Sequence, residues 1–264
     1  MSDNKVSTQQ EWAIKLFNKS PLKQKKFQMI TDFMPNEGCK SCLDIGSDNG
    51  VISLLLRQRG GEWSSADLIP ETVESIKNLV GNNVYQIEGS KLPFNDAQFD
   101  CVIVVDMLEH IPDDEVFTQE VYRVLKPQGW AIFNVPNPKE GLLRKLQFKL
   151  GQTDKAHGHL RAGYTPEKLD ALLNDKFILI KQKSYSRFFS VFIDTFLTFV
   201  LDRLKKGSRG KKGTVITEND LNKLKKSFKL YSLIYPFIAL FVKLDLLIPF
   251  LHGNMLISLF QKRE

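Results

Sequence analysis

In the first half of this chain, acidic side chains lie in or at the end of three apolar runs that lead into glycine or loop residues. Asp44 lies in CLDIGSDNG (42–50), Asp67 closes EWSSAD (62–67), and Asp106 follows CVIVV (101–105). A carboxylate at a strand end accepts hydrogen bonds from hydroxyls and amines and attracts cations. Three residues past Asp106 come Glu109 and His110, so D-x-x-E-H gathers oxygen and nitrogen donors within one turn. Such a set could hold a hard divalent ion that binds a diol and lowers the pKa of its hydroxyls. The favoured reading is without metal, Glu109 and His110 capping and packing the next helix. Farther on, DKAHGHLRAGYTPEKL (154–169) sets His157 and His159 two apart, followed by Arg161 and Tyr164. An imidazole titrates near neutrality, so either histidine suits removal of a hydroxyl proton. Arg161 suits a phosphate or carboxylate of a substrate, with Tyr164 beside it.

The elements that position these groups read as an α/β series. Cys42–Ile45 is a short buried strand, Gly46–Gly50 a glycine turn, and Val51–Arg59 an apolar helical pattern. Strand, glycine turn and helix form the first unit of a nucleotide-binding fold. Asp44 is expected to face its crevice. The glycines are spaced G-x-x-x-G, with Asp44 before them and Asp48 between them, which disfavours a pyrophosphate and hence a nicotinamide dinucleotide. An acidic loop suits S-adenosylmethionine, which carries an ammonium and a sulfonium. A second strand (62–66) ends at Asp67, about 20 residues past the loop, where an acid binds ribose hydroxyls. A helix follows over 70–79. Further strands are expected over 84–88 and 101–105, then a helix, a turn and a fifth strand over 120–137.

LDIGSDNG, the acid Asp67, LPFNDAQFD, LEHIPDD and RVLKPQGW occur in one order over residues 39–177. In that order they resemble the class I S-adenosylmethionine-dependent methyltransferases, of the branch that includes the ubiquinone and menaquinone methyltransferases. The resemblance implies that Asp44, Gly46, Ser47 and Gly50 line the methionine end of the cofactor. It further implies that Asp67 and Leu68 meet the ribose, Ser90 and Lys91 the adenine, and Asp106 the methyl donor. The sequence departs from the family's pattern at Asp48 and Ser90, where a glycine and an acid usually stand. D-x-x-E-H also resembles the E-x-x-E-H of metal-dependent O-methyltransferases.

Charge is unevenly placed. The chain carries 37 Lys plus Arg and 30 Asp plus Glu, yet residues 181–264 alone hold 16 basic and 6 acidic side chains, a balance of +10. The core is slightly acidic, which argues against a nucleic-acid substrate. Basic and apolar together point to an anionic membrane surface. Strands are expected over 177–183 and 254–261 as a terminal antiparallel pair, so 184–253 is an insertion within it. Over Arg187–Lys206 a helical pattern carries a polar stripe, Ser190, Asp194, Thr198 and Asp202. A basic loop (204–213), a helix near Glu218–Tyr235 and a second apolar tract (230–251) follow. Neither tract offers the ~20 unbroken apolar residues that a spanning helix needs: Phe188–Leu201 is 14 residues long and contains Asp194, and Leu230–Val242 gives 13 before Lys243 and Asp245, so both are expected to lie in the membrane interface or cover a greasy substrate. The N-terminal 11–35 reads as one or two helices, a lid or simple packing on the sheet. The three cysteines, Cys39, Cys42 and Cys101, read as reduced thiols, and no signal peptide is visible.

The expected architecture is an open α/β sheet in strand order 3-2-1-4-5-7-6. An N-terminal helical lid (1–36) precedes a cofactor-binding core (37–183), the insertion (184–253) and a final strand (254–264). The expected activity is methyl transfer from S-adenosylmethionine by in-line displacement, with His157, His159 and Asp106 as catalytic groups. The acceptor is expected to be a membrane-associated or lipid-linked molecule, methylated at oxygen. The alternatives are carbon methylation of a quinone-type acceptor and a non-catalytic cofactor-binding scaffold for a membrane complex. A cytoplasmic protein, peripheral at the membrane face and able to form a homodimer, is the expected setting.

Overall fold

The computed structural model describes residues 8–35, 39–47, 49–138, 141–154, 158–204 and 232–264. Asp48, His157, the basic loop from Lys205 onward and most of the helix expected over Glu218–Tyr235 lie outside them. Two helices, α1 (Thr8–Phe17) and α2 (Pro21–Phe33), precede an alternating series. It runs β1 (Ser41–Ile45), α3 (Val51–Arg57), β2 (Glu62–Asp67), α4 (Pro70–Val80), β3 (Val84–Gln86) and β4 (Phe99–Val105). Then come α5 (Asp114–Val124), β5 (Leu125–Pro136), α6 (Leu142–Lys149), α7 (Pro166–Leu173) and β6 (Phe177–Tyr185). The series closes with α8 (Phe188–Leu204), α9 (232–244) and β7 (Met255–Lys262).

Seven strands form one sheet in the order β3-β2-β1-β4-β5-β7-β6, as expected. The first five pair parallel, and β7 runs antiparallel between β5 and β6. The central strands are buried on both faces, which is why they read as nearly unbroken apolar runs. Their alternation still sorts side chains between two cores. Val102 and Val104 join Leu43, Phe117, Val121 and Leu169 on the α5–α7 side. Cys101, Ile103 and Val105 join Cys42, Ile30, Phe33 and Leu56 on the α1–α3 side. Cys42 and Cys101 stand opposite each other across β1 and β4, and all three cysteines are thiols.

The insertion between β6 and β7 is tied down from a distance. Asp245, buried after α9, accepts hydrogen bonds from the backbone N–H groups of Arg187 (2.6 Å), Phe189 (2.9 Å) and Ser190 (3.4 Å). It therefore caps the start of α8 with a negative charge, which opposes the positive end of the helix. Phe241 of α9 packs its ring against Phe189 and Phe192. The polar stripe expected on α8 is divided: Ser190 is buried, Thr198 half-buried and Asp194 exposed. Val191 and Thr195 beside it are buried, whereas Phe188, Phe192 and Phe196 are exposed. The cause is α6 and the turn after it: Gln147 donates to Thr195 Oγ1 and Gln152 to the Thr195 carbonyl, which draws the mixed face inward. Among the described residues no helix is long and apolar enough to cross a membrane.

Candidate active site

A cavity of about 430 Å³ opens at the C-terminal ends of β1, β2 and β4, where this topology leaves a crevice between the loops. Gly46, Ser47, Asn49, Asp67, Leu68, Ile69, Thr72, Asp106 and His110 contribute to its walls, and Lys23 and Lys26 reach it from α2. Gly46 has φ +83°, and a Cβ there would stand 2.2 Å from the Val105 carbonyl oxygen. Only glycine lets the turn after β1 pass under the end of β4. Gly50 serves packing. Its φ is +82°, and a Cβ would come 2.9 Å from Ile76 Cα, so it brings α3 against α4 and does not line the cavity.

Asp44 does not face the crevice. It is fully buried, and its carboxylate accepts from Ser47 Oγ (2.5 Å), Ser53 Oγ (2.6 Å), Ser65 Oγ (2.8 Å) and Arg57 Nη1 (3.4 Å). The strand's pleat turns this side chain under the glycine turn, and it is not among the residues lining the cavity. Burial lowers the pKa of Arg57, and the charge of Asp44 opposes that shift. The carboxylate thus pins β1, α3 and β2 together below the site. Asp67 does line the cavity, and its Oδ1 accepts from the Ile69 N–H at 3.0 Å, which fixes the carboxylate at the end of β2. Ser90 and Lys91 lie outside the cavity, beside a turn that bridges Glu88 to Lys91.

Asp106 projects into the cavity from the end of β4 in a left-handed conformation, φ +45°. A non-glycine residue there carries strain that its neighbours must hold. Asn134 donates to Asp106 Oδ1 at 2.8 Å, and Asn134 accepts in turn from the Tyr185 hydroxyl at 2.6 Å. Burial, followed by the Asp106 charge, raises the Tyr185 pKa, so it stays a donor. The other Asp106 oxygen is paired with the ammonium of Lys26.

His110 lines the cavity beyond Asp106, and its Nδ1 lies 2.9 Å from the Gly158 carbonyl. A carbonyl only accepts, so Nδ1 donates, and Nε2 is the basic nitrogen of the neutral ring. The His159 ring packs edge-on to it at 4.8 Å, and Asp154 lies 3.9 Å from His159 Nδ1. Ligand atoms of Glu109, His110 and His159 lie within 4.8 Å of one another. Asp106 is not in that group, so the donor set of D-x-x-E-H, the alternative to the favoured metal-free reading, is not the one brought together; His159 stands in place of the aspartate.

Arg161 and Tyr164, expected to meet a substrate, are not among the residues lining the cavity. Arg161 donates to the carbonyls of Leu108 (2.9 Å), Ile111 (2.7 Å) and Pro112 (3.2 Å) and lies 3.5 Å from Asp114. Tyr164 is buried, and its hydroxyl donates to Asp114 at 2.6 Å. Both fasten the loop after β4, whose carbonyls have left the sheet and need donors. The residues that sequence reasoning passed over are Lys23, Lys26, Asn134 and Tyr185. Two lysines three apart on one face of α2 were the available signal for the first pair.

Residues 43–133 match the methyltransferase domain family model. A ubiquinone biosynthesis O-methyltransferase of Pseudomonas entomophila is 34% identical over 112 residues, which are 39% of this chain and 48% of the relative. The chain spans about half the length of the curated relatives it matches. A methyltransferase structure from Bacillus halodurans superposes with a TM-score of 0.59 at 16% identity, covering 91% of this chain and 100% of that one. A Haemonchus contortus phosphoethanolamine N-methyltransferase, in complex with S-adenosylmethionine, superposes with a TM-score of 0.58 at 18% identity, covering 91% of this chain and 53% of that one. The sheet order, the crevice and the matched segment are together similar to those of class I S-adenosylmethionine-dependent methyltransferases. The cavity carries two carboxylates on its wall, Asp67 and the Lys26-paired Asp106. Apolar Ile52, Leu68, Ile69, Val105 and Met107 also line it.

Proposed function

We propose that the protein methylates a hydroxyl oxygen of an apolar, membrane-associated or lipid-linked acceptor. The observation that carries this reading is His110, set in the cavity wall beyond Asp106 with its basic nitrogen defined by the Gly158 carbonyl. S-adenosylmethionine, when bound, supplies an electrophilic methyl group. The chain's own work is then alignment, exclusion of water and handling of one proton. Asp67 orients the nucleoside end. Asp106, aimed by Asn134 and Tyr185, holds the cationic end. His110 takes the acceptor's hydroxyl proton at Nε2, and His159 braces its ring. His157, expected as an alternative base, lies outside the described residues. The O-methyltransferase name of the relatives supports oxygen as the acceptor atom. The acceptor's apolar character rests on the exposed aromatic and aliphatic side chains of α8 and α9.

The Glu109–His110–His159 group favours a second reading of the same wall. One carboxylate and two imidazoles within 4.8 Å fit a divalent ion of intermediate hardness. Such an ion, when bound, lowers the pKa of an acceptor hydroxyl. The readings separate in turnover assays with methyl-labelled S-adenosylmethionine and a lipid extract. As a base, His110 changed to Ala lowers turnover by about 10²–10⁴-fold with cofactor binding kept and no response to EDTA. Activity lost to EDTA and restored by Mn²⁺ or Mg²⁺ supports the metal reading instead. Activity of His110→Ala and His159→Ala within a few-fold of the unaltered protein removes both roles from this wall.

A further inference from the structure

The proposal concerns Lys26 and rests on the cofactor reading above. Lys26 sits on the cavity side of α2, and its ammonium is paired with Asp106, the carboxylate that projects into the cavity. The half of α2 that follows is anchored, with Met29, Ile30 and Phe33 at most 2% exposed, so the lysine leans in from a fixed base. The carboxylate's aim does not depend on that lysine. Asn134 holds Oδ1 at 2.8 Å, Tyr185 holds Asn134 at 2.6 Å, and the backbone at φ +45° points the side chain inward. With Oδ1 held by Asn134, the oxygen left to a cation is the one that Lys26 pairs with. Two positive charges sharing that oxygen would repel each other, and partial exposure moderates the repulsion.

We propose that Lys26 stands in for the ligand's cation: it neutralises Asp106 before the cofactor enters and is exchanged for the positive charge of S-adenosylmethionine when it binds. Lysine suits the part. Its single charge rides on a four-carbon stem with rotatable bonds, so it can swing out without moving α2, whereas a bidentate arginine would hold on. The exchange makes binding selective for cationic ligands, since a neutral or anionic nucleotide brings nothing to replace the lysine. It also lowers the apparent affinity for the cofactor, because part of the binding free energy goes into displacing an ion pair already made.

Calorimetric titration of the full chain with S-adenosylmethionine tests this, with Lys26→Met, Lys26→Gln and Lys26→Arg beside the unaltered protein. The neutral variants are expected to bind about two- to fivefold more tightly, the range for a partly exposed ion pair. Lys26→Arg, which keeps the charge, is expected to bind no more tightly than the unaltered protein. Folding of each variant is checked by its thermal transition, and Lys26→Gln keeps the test open if Lys26→Met does not fold. Weaker binding by the neutral variants would overturn the proposal and assign Lys26 to holding the ligand, for instance its carboxylate. Unchanged binding, or equal tightening by Lys26→Arg, would overturn it as well. No binding by any of the four proteins would overturn the cofactor reading itself, and the proposal with it.

Discussion

Asp44 and Asp67 end neighbouring strands in similar sequence surroundings, yet the structure gives them opposite tasks. Three hydroxyls and Arg57 surround Asp44 below the glycine turn. Asp67 lies on the cavity wall. The two therefore separate in experiment. Asp44→Ala leaves Arg57 mostly buried without its carboxylate, and a broken buried pair costs about 3–5 kcal/mol of stability. Urea denaturation should show that loss. Asp67→Ala should leave stability nearly unchanged and weaken S-adenosylmethionine binding by about 1.5–3 kcal/mol, the range for a hydrogen bond to a charged group. Calorimetry showing full affinity in the folded variant would remove Asp67 from the ribose position. Sequence spacing placed both acids correctly along the chain. What it lacked was the pleat: whether a strand-end carboxylate points into the crevice or under the turn depends on one residue of register.

Single arginines secure whole loops in this fold, and α5 gives the clearest case. Arg123 donates to the carbonyls of Phe94 (2.8 Å) and Leu92 (3.1 Å), to Asp96 (2.7 Å) and, through two nitrogens, to Glu120 (2.8 Å each). It thereby joins the loop before β4 to the helix after it. Hydrogen bonding from Arg123 holds the Glu120 carboxyl below its usual pKa, and partial burial opposes the shift. A carboxylate depressed in the folded state contributes stability that is fully present above its unfolded pKa, near 4.3. That contribution disappears as pH falls through the lower folded value. Arg123→Ala should therefore cost about 2–3 kcal/mol at pH 7. It should also flatten the acid limb of a stability-versus-pH curve below about pH 4.5; a limb of unchanged slope would refute the assignment. The elements themselves were legible from sequence because 3.6- and 2-residue periods and glycine turns are local signals. The sheet order followed once the motifs were ordered. The contacts of Arg161 and Tyr164 were not legible, since their partners, the Leu108, Ile111 and Pro112 carbonyls and the Asp114 carboxylate, lie about 50 residues away in the chain. The inward turn of Thr195 on α8 was hidden for the same reason, as it depends on Gln147 and Gln152 of another element.

At the scale of the whole molecule, the α/β core and the insertion present different surfaces. The core buries its large apolar side chains on both faces of the sheet. The insertion leaves Leu233, Phe237, Leu246, Leu247 and Phe250 between 69% and 75% exposed. Exposed aromatic and aliphatic side chains on consecutive turns mark a surface meant to be covered. On the proposed reading, the +10 balance of residues 181–264 would favour anionic lipid as the cover. The insertion, on that reading, lies in the headgroup region and the acceptor reaches the cavity without crossing water. Two contributions then add. Each lysine or arginine near an anionic surface supplies about 1 kcal/mol, which salt screens. Each phenylalanine that enters the acyl boundary supplies about 1.5–3 kcal/mol, which salt does not screen. Co-sedimentation with vesicles containing anionic lipid should therefore respond in two ways. Neutralising Lys205, Lys206, Arg209, Lys211 and Lys212 should weaken binding and remove most of its salt dependence. Phe237→Ser and Phe250→Ser should each weaken binding about tenfold and leave the salt dependence intact. If the unaltered protein stays in the supernatant with anionic vesicles at low salt, the apolar side chains cover a second copy of the chain or a soluble acceptor, and the lipid-linked acceptor loses its support.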